Sequence, residues 1–239
     1  MVLLQLLIAW NAALAFICGD PVVFKPSDKC VVSAIAIYEL AKRAAKEVGI
    51  DENVCQLVLG GIDAANTIAS HVDIALLSVT GSTLAGAALS KIVNERFGKI
   101  LLELGGNNAM IVTPSADIEL ATRAIVFSAA GTAGQRCTTL RRLIVHESIF
   151  EKLMEKVKKA YASLKIGNPL NSDTLIGPLI ESNSSQAMEL AIDNLSNNGQ
   201  VVVGGERMFD AVYPDAYYRM PAIIKMESHI IDLDHETFA

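Results

Sequence analysis

At roughly 150 residues per domain, a chain of 239 residues and 25.5 kDa makes one large domain or two small ones. Apolar residues make up 51% and charged residues 19%, which supplies a sizeable core and excludes intrinsic disorder. The 20 Lys and Arg against 26 Asp and Glu leave a net charge of −6, and without a basic stripe no nucleic-acid partner is expected.

The four cysteines, Cys18, Cys30, Cys55 and Cys137, are too sparse for a disulfide scaffold. They form no CxxC or Cys/His cluster, so no metal site is expected. Scattered thiols suit a reducing compartment, cytoplasmic with the mitochondrion as the alternative.

Residues 1–19 carry no charge and are mostly apolar, a pattern shared by membrane spans and signal peptides. Three features weigh against both. No Lys or Arg precedes Lys25, Gln5, Trp10 and Asn11 interrupt the run, and Asp20-Pro21 leads straight into Val22-Val23-Phe24. The segment therefore reads first as a buried helix feeding a parallel sheet, with a membrane span or signal peptide as the alternative; no membrane partner is expected.

From residue 21 the elements alternate. Residues 21–26 read as a strand, 31–48 as a helix ending before Gly49, 54–61 as a strand into glycines, and 64–70 as a short helix. A strand at 73–81, a helix at 82–97 and a strand at 99–106 follow. This β-α-β-α order, with continuous apolar strands, predicts a doubly wound parallel sheet.

Next come a strand at 108–113, a helix capped by Asp117 and running to about 130, and a glycine-bearing loop at 131–139. A strand at 140–147, long helices at 148–164 and 184–198, and a strand at 200–205 complete the pattern. The predicted class is α/β, with one domain over residues 1–104 and a second over 105–239.

Several residues could carry chemistry. Gly81 and Ser82 open GSTLAG, where a strand hands over to a helix, which suits a phosphate as well as an ordinary turn. Cys137 sits in the polar loop GTAGQRCTT with Arg136 adjacent, and a neighbouring cation can turn a thiol into a nucleophile. Cys18, Cys30 and Cys55 read as buried structural thiols.

Glu103 ends the apolar run LLELGG, where burial would favour a general base; the alternative is a strand-end charge that escapes to water. Asn11 is either a core amide or an oxyanion donor. Lys25, at the C-terminal edge of its strand, lies where open α/β sheets bind cofactors, and is otherwise a solvated strand-end lysine.

WNAAL (10–14), VVFKPSD (22–28), VTGST (79–83), ELGGNN (103–108), GQRCTT (134–139), IGPL (176–179) and HETFA (235–239) occur here in that order. Together they resemble the aldehyde dehydrogenase superfamily, and ELGGNNA with GTAGQRCTTLRRLIVHESI is most similar to its α-aminoadipic semialdehyde dehydrogenase (antiquitin) branch. The resemblance implies an aldehyde-dehydrogenase-like fold with an NAD-binding domain (1–104) and a catalytic domain (105–239). It implies Cys137 as nucleophile, Glu103 as general base and Asn11 as oxyanion donor.

NAD is the implied cofactor. Trp10, Lys25, Ser27, Asp28, Gly81, Ser82, Leu104, Glu236 and Phe238 match cofactor-binding positions, and Arg136 matches a substrate-recognising arginine. The implied partner is a small aldehyde.

Superfamily members are homo-oligomeric and longer at both ends, so the chain is expected to lack part of each domain and the oligomerisation arm. Two alternatives stand beside the dehydrogenase reading. One is an inactive truncated chain that binds a partner. The other is a CoA-acylating enzyme, against which a retained water-activating Glu103 argues.

Overall fold

In the computed structural model, which describes residues 2–230, 233 and 236–239, helices and short strands alternate as an α/β protein. Met1 and His235, the first residue of the HETFA motif, lie outside the described residues. The chain divides into two compact units, Met1–Leu104 and Gly105–Ala239.

In the first unit, α1 (Val2–Ile17) leads to β1 (Val22–Phe24), and α2 (Val31–Glu47) to β2 (Cys55–Leu57). Then come α3 (Ile62–Ser70), β3 (Leu76–Thr80), α4 (Thr83–Glu95) and β4 (Lys99–Glu103). Strand β1 pairs in parallel with β2, Val22 facing Cys55, and β3 in parallel with β4, Leu76 facing Lys99. The parallel pairing demanded by helical crossovers is therefore present.

Each ladder is two-stranded among the described residues. With three residues each, β1 and β2 offer few main-chain groups to further neighbours. Arg96, just past α4, pins the α3–β3 connection by donating to the carbonyls of Ala69 (2.7 Å) and Ile74 (2.8 Å).

Burial departs from expectation in this unit. Helix α1 exposes Trp10 (68%), Leu14 and Ile17 and buries Ala12. An apolar helix can bury only the faces that neighbours cover, and α1 packs on β1 and α2. At 16 residues it is also too short to qualify as a span; no described helix is long and apolar enough to cross a membrane.

Strand β4 pairs only with β3 among the described residues, and Leu101, Leu102 and Glu103 are exposed. The expected burial of Glu103 is thus not found. Cys18 is exposed at the end of α1 and Cys30 half-buried, so of the three thiols expected inside only Cys55 is buried. Burial alone pushes the Cys55 thiol up.

In the second unit β5 (Asn108–Val112) pairs in parallel with β6 (Leu140–Val145) across α5 (Ile118–Ala130), with α6 (Glu147–Ala162) following. Asp117 accepts from the main-chain N–H of Glu119 and Leu120, a side-chain cap that starts α5. Leu153, Val157 and Tyr161 recur every fourth residue on α6 and close a core with Val112 and Ile125.

Helix α7 (Ser182–Ser196) leads to β7 (Gly199–Val203). Short strands β8 (Arg207–Met208) and β9 (Tyr218–Arg219) then pair with each other, and β10 (Ile223–Met226) returns antiparallel to β7. The alternating pattern carried no expectation for these last three strands.

Candidate active site

The loop that carries Cys137 begins where α5 ends. Thr132, Ala133 and Gly134 lie in succession in the left-handed region, at φ 56°, 52° and 71°, a conformation that costs roughly 1–2 kcal/mol at each non-glycine position. The loop persists because its surroundings hold it from several sides.

Asn108, at the start of β5, donates through Nδ2 to the carbonyls of Cys137 (2.6 Å) and Thr139 (3.0 Å). The buried Thr139 hydroxyl donates to the Gly134 carbonyl (2.9 Å) and accepts from the Arg136 N–H (3.2 Å). Gln135 accepts from the Ile180 N–H at 2.9 Å.

The two glycines of ELGG each answer a close approach. A Cβ on Gly106 would stand 2.6 Å from the Cys137 carbonyl oxygen, and one on Gly105 would collide with the Glu236 carboxylate. Nearby, Arg142 donates to the Asn107 carbonyl at 2.8 and 3.1 Å, and the Asn107 amide donates to the Leu233 carbonyl.

Arg136 does not reach toward Glu236. Its guanidinium lies over the Phe127 ring (5.3 Å to the centroid) and donates to the Phe127 carbonyl. The arginine that reaches the Cys137 loop is Arg141 on β6. Its Nη2 donates to the carbonyls of Gly134 (3.3 Å) and Arg136 (3.4 Å) and to Glu236 Oε1 (3.3 Å).

Burial pulls the Arg141 guanidinium down from its ordinary value, while Glu236 and Cys137 oppose that pull. Glu236 also accepts from the Gly106 N–H at 3.2 Å. Phe238 is exposed.

A cavity of about 440 Å³ opens beside this group in the second unit. Arg141, Thr139, Tyr161, Met188 and Glu236 are among its lining residues.

In the first unit Lys25 stands at the C-terminal edge of β1. Its Nζ donates to the carbonyls of Pro26 (2.6 Å) and Gly60 (2.9 Å) and lies 3.9 Å from Asp28. Ser27 caps the short turn that follows by accepting from the Lys29 N–H. Lys25, Ser27 and Asp28 thus share the edge formed by the ends of β1 and β2.

Ser82 caps α4, accepting from the Ala85 N–H at 3.2 Å, and an accepting hydroxyl keeps its own proton to donate. The Gly81 N–H donates to the Glu103 carbonyl (3.1 Å), so Gly81, Ser82 and the end of β4 are neighbours. Leu104 packs so closely on Gly86 that a Cβ there would stand 2.6 Å from Leu104 Cδ2. Trp10 is exposed and Asn11 half-buried on α1.

Sequence reasoning singled out Cys137, Arg136 and Glu236 but not Asn108, Thr139 or Arg141. Their signals were present as the second Asn of ELGGNN, the second Thr after the cysteine and the first of two arginines. Nothing in those letters says which carbonyls they meet. Among the described residues no group of His, Cys, Asp and Glu could hold a metal ion.

Comparison with known proteins identifies the family. The pattern of the aldehyde dehydrogenase family matches residues 5–239. The chain is 39% identical over 233 residues to aldehyde dehydrogenase family 7 member B4 of Arabidopsis thaliana, covering 97% of this chain and 45% of that protein. It is 38% identical over 234 residues to bovine (Bos taurus) alpha-aminoadipic semialdehyde dehydrogenase, covering 96% of this chain and 42% of that one.

Among solved structures it is similar to Escherichia coli lactaldehyde dehydrogenase, with TM-score 0.89, 29% identity and coverage of 98% of this chain and 48% of that one. It is also similar to Staphylococcus aureus betaine aldehyde dehydrogenase in complex with NAD+, with TM-score 0.83, 28% identity and coverage of 91% and 43%. The chain spans less than half the length of the relatives it matches. With a family pattern running from residue 5 to residue 239, the chain belongs to the aldehyde dehydrogenase family.

Proposed function

We propose that the chain carries the chemistry of NAD-dependent oxidation of an aldehyde to a carboxylic acid, with Cys137 as the nucleophile. The observation that carries this reading is the Cys137 loop. It is a left-handed turn held from both flanks by Asn108, Thr139 and Arg141. A buried structural thiol needs neither the strain nor the supports.

The first unit fits a dinucleotide. Lys25 presents an ammonium group at the β1 edge beside the Asp28 carboxylate, and the Ser82-capped N-terminus of α4 suits an anion. Lys25, Ser27 and Asp28 would hold the adenosine ribose, Gly81 and Ser82 the pyrophosphate, and Glu236 the nicotinamide ribose, with Trp10, Leu104 and Phe238 packing around the cofactor. NAD, when bound, supplies the hydride acceptor.

The chain's own residues do the rest. The Cys137 thiolate adds to the aldehyde carbon, and the oxygen becomes an oxyanion to which the Asn11 amide donates. When hydride leaves that carbon, the oxyanion collapses to a thioester on Cys137. Glu103 takes a proton from water, the hydroxide adds to the thioester, and the acid departs as the thiolate is restored.

Arg136 is assigned to substrate recognition. Identity with the bovine protein supports α-aminoadipic semialdehyde as the first aldehyde to try.

The test is alkylation resolved by peptide, because Cys18 is exposed and will label too, together with NADH absorbance on α-aminoadipic semialdehyde and a short aliphatic aldehyde. Cys137→Ser should remove the fast label on the peptide containing residue 137 and abolish turnover. A wild-type Cys137 that labels no faster than the buried Cys55 would remove the nucleophile assignment.

A further inference from the structure

Arg141 enters no step of the reaction above, yet its side chain is held in place among loop carbonyls and Glu236. Its side chain is only 10% exposed, and its buried Nε has no hydrogen-bond partner among the described residues, an arrangement that costs stability unless something else is gained. What it holds is unusual. One nitrogen, Nη2, faces three acceptors at similar range: the Gly134 carbonyl at 3.3 Å, the Arg136 carbonyl at 3.4 Å and Glu236 Oε1 at 3.3 Å.

A guanidinium Nη carries two protons, and well-made N–H···O bonds run near 2.9–3.0 Å. Two protons shared among three acceptors give three long bonds rather than two good ones. Gly134 and Arg136 flank the turn that presents Cys137. Glu236 is the acceptor outside that loop, and it has a second donor in the Gly106 N–H.

We propose that Arg141 is a positioning residue of the Cys137 loop, in which Glu236 competes with the loop carbonyls for the same two protons. While Glu236 holds its share, the loop is loosely tied. When Glu236 is drawn away, both protons close on Gly134 and Arg136 and the turn stiffens. This rests on the reading of Glu236 as the carboxylate that meets the nicotinamide ribose. On that reading, ribose hydroxyls are the natural competitors, and cofactor binding tightens the thiol loop through Arg141.

The test is hydrogen–deuterium exchange of the peptide spanning residues 131–139 in the full chain, read as a two-residue cycle. Glu236→Ala in the otherwise unchanged chain should slow exchange in this peptide at least about threefold, since two protons then serve two acceptors. In an Arg141→Met background the same change should give no slowing. Any loosening from the orphaned Gly106 N–H appears in both backgrounds and cancels.

Arg141→Lys guards against a methionine variant that does not fold, and it separates position from charge. An ammonium has three protons for three acceptors, so competition ends and Glu236→Ala should have no effect, whereas a purely electrostatic role would keep the effect. Equal responses to Glu236→Ala in the unchanged, Met and Lys chains would overturn the proposal.

Saturating NAD+ forms the separate arm and should slow the same peptide only where Arg141 is present. If the cycle shows coupling while NAD+ binds and changes nothing, Arg141 keeps its role and Glu236 is not the ribose ligand.

Discussion

The side-chain amide of Asn108 donates to the carbonyl of Cys137 over 2.6 Å and to that of Thr139 over 3.0 Å. One amide at the first residue of β5 thus fixes the main chain on both sides of Thr138. Cys137 is held by a strand through its backbone, which leaves the thiol outside the clamp.

Asn108→Ala should therefore destabilise the second unit by about 1–3 kcal/mol, the scale of two carbonyls losing their donor. Asn108→Asp should cost more, since a carboxylate oxygen would then face both carbonyls. Urea unfolding followed by tryptophan-independent circular dichroism measures both. Equal stability of the alanine variant and the parent would show that water replaces the clamp.

Gly106 lets the loop come close. A Cβ there stands 2.6 Å from a main-chain oxygen, which cannot swing aside as a side chain could. Gly106→Ala should cost about 1–3 kcal/mol, the usual scale of overpacking. It should also change Cys137 alkylation by more than it changes Cys55 alkylation, because the shift falls on the loop.

Tyr161 is 2% exposed, and burial pushes its hydroxyl up to about 12 from an ordinary value of 10. The native chain therefore binds this proton more tightly than the unfolded chain does. The contribution is fully present below pH 10 and is lost as pH rises from about 10 to about 12. Two pH units correspond to about 2–3 kcal/mol. Tyr161→Phe should flatten that part of the stability curve, measured by urea unfolding at pH 9 to 12 in about half-unit steps.

Asp28 sits 3.9 Å from Lys25 at the β1 edge and is 62% exposed. On the reading of Asp28 as a ribose ligand, its carboxylate would accept from ribose hydroxyls and repel a 2′-phosphate. NAD should be preferred over NADP by at least about tenfold, or roughly 1.4 kcal/mol, and Asp28→Ser should narrow the gap. Equal affinity for the two nucleotides by fluorescence titration would refute the assignment.

Much was legible in the sequence because it is local. Helical spacing marked α2, α4, α5 and α6, Asp117 announced the cap of α5, and apolar runs marked the parallel strands β1 to β6. The motifs ELGGNN and GQRCTT carried the family by themselves. Such signals survive because hydrogen-bonding period and capping depend on residues a few positions apart.

What the tertiary structure decided is who covers whom. Trp10, Leu14 and Ile17 are apolar yet exposed, Glu103 follows leucines yet stays in water, and Cys18 is accessible. Each depends on a neighbouring surface that no local pattern encodes. Adjacency likewise pointed to Arg136 as the cation beside the thiol. In the fold that arginine turns to Phe127 on α5, and Arg141, four residues beyond Cys137, donates to the loop carbonyls instead. A strand alternates its side chains and a loop doubles back, so which arginine meets the loop is set by the path of the main chain and not by the order of the letters.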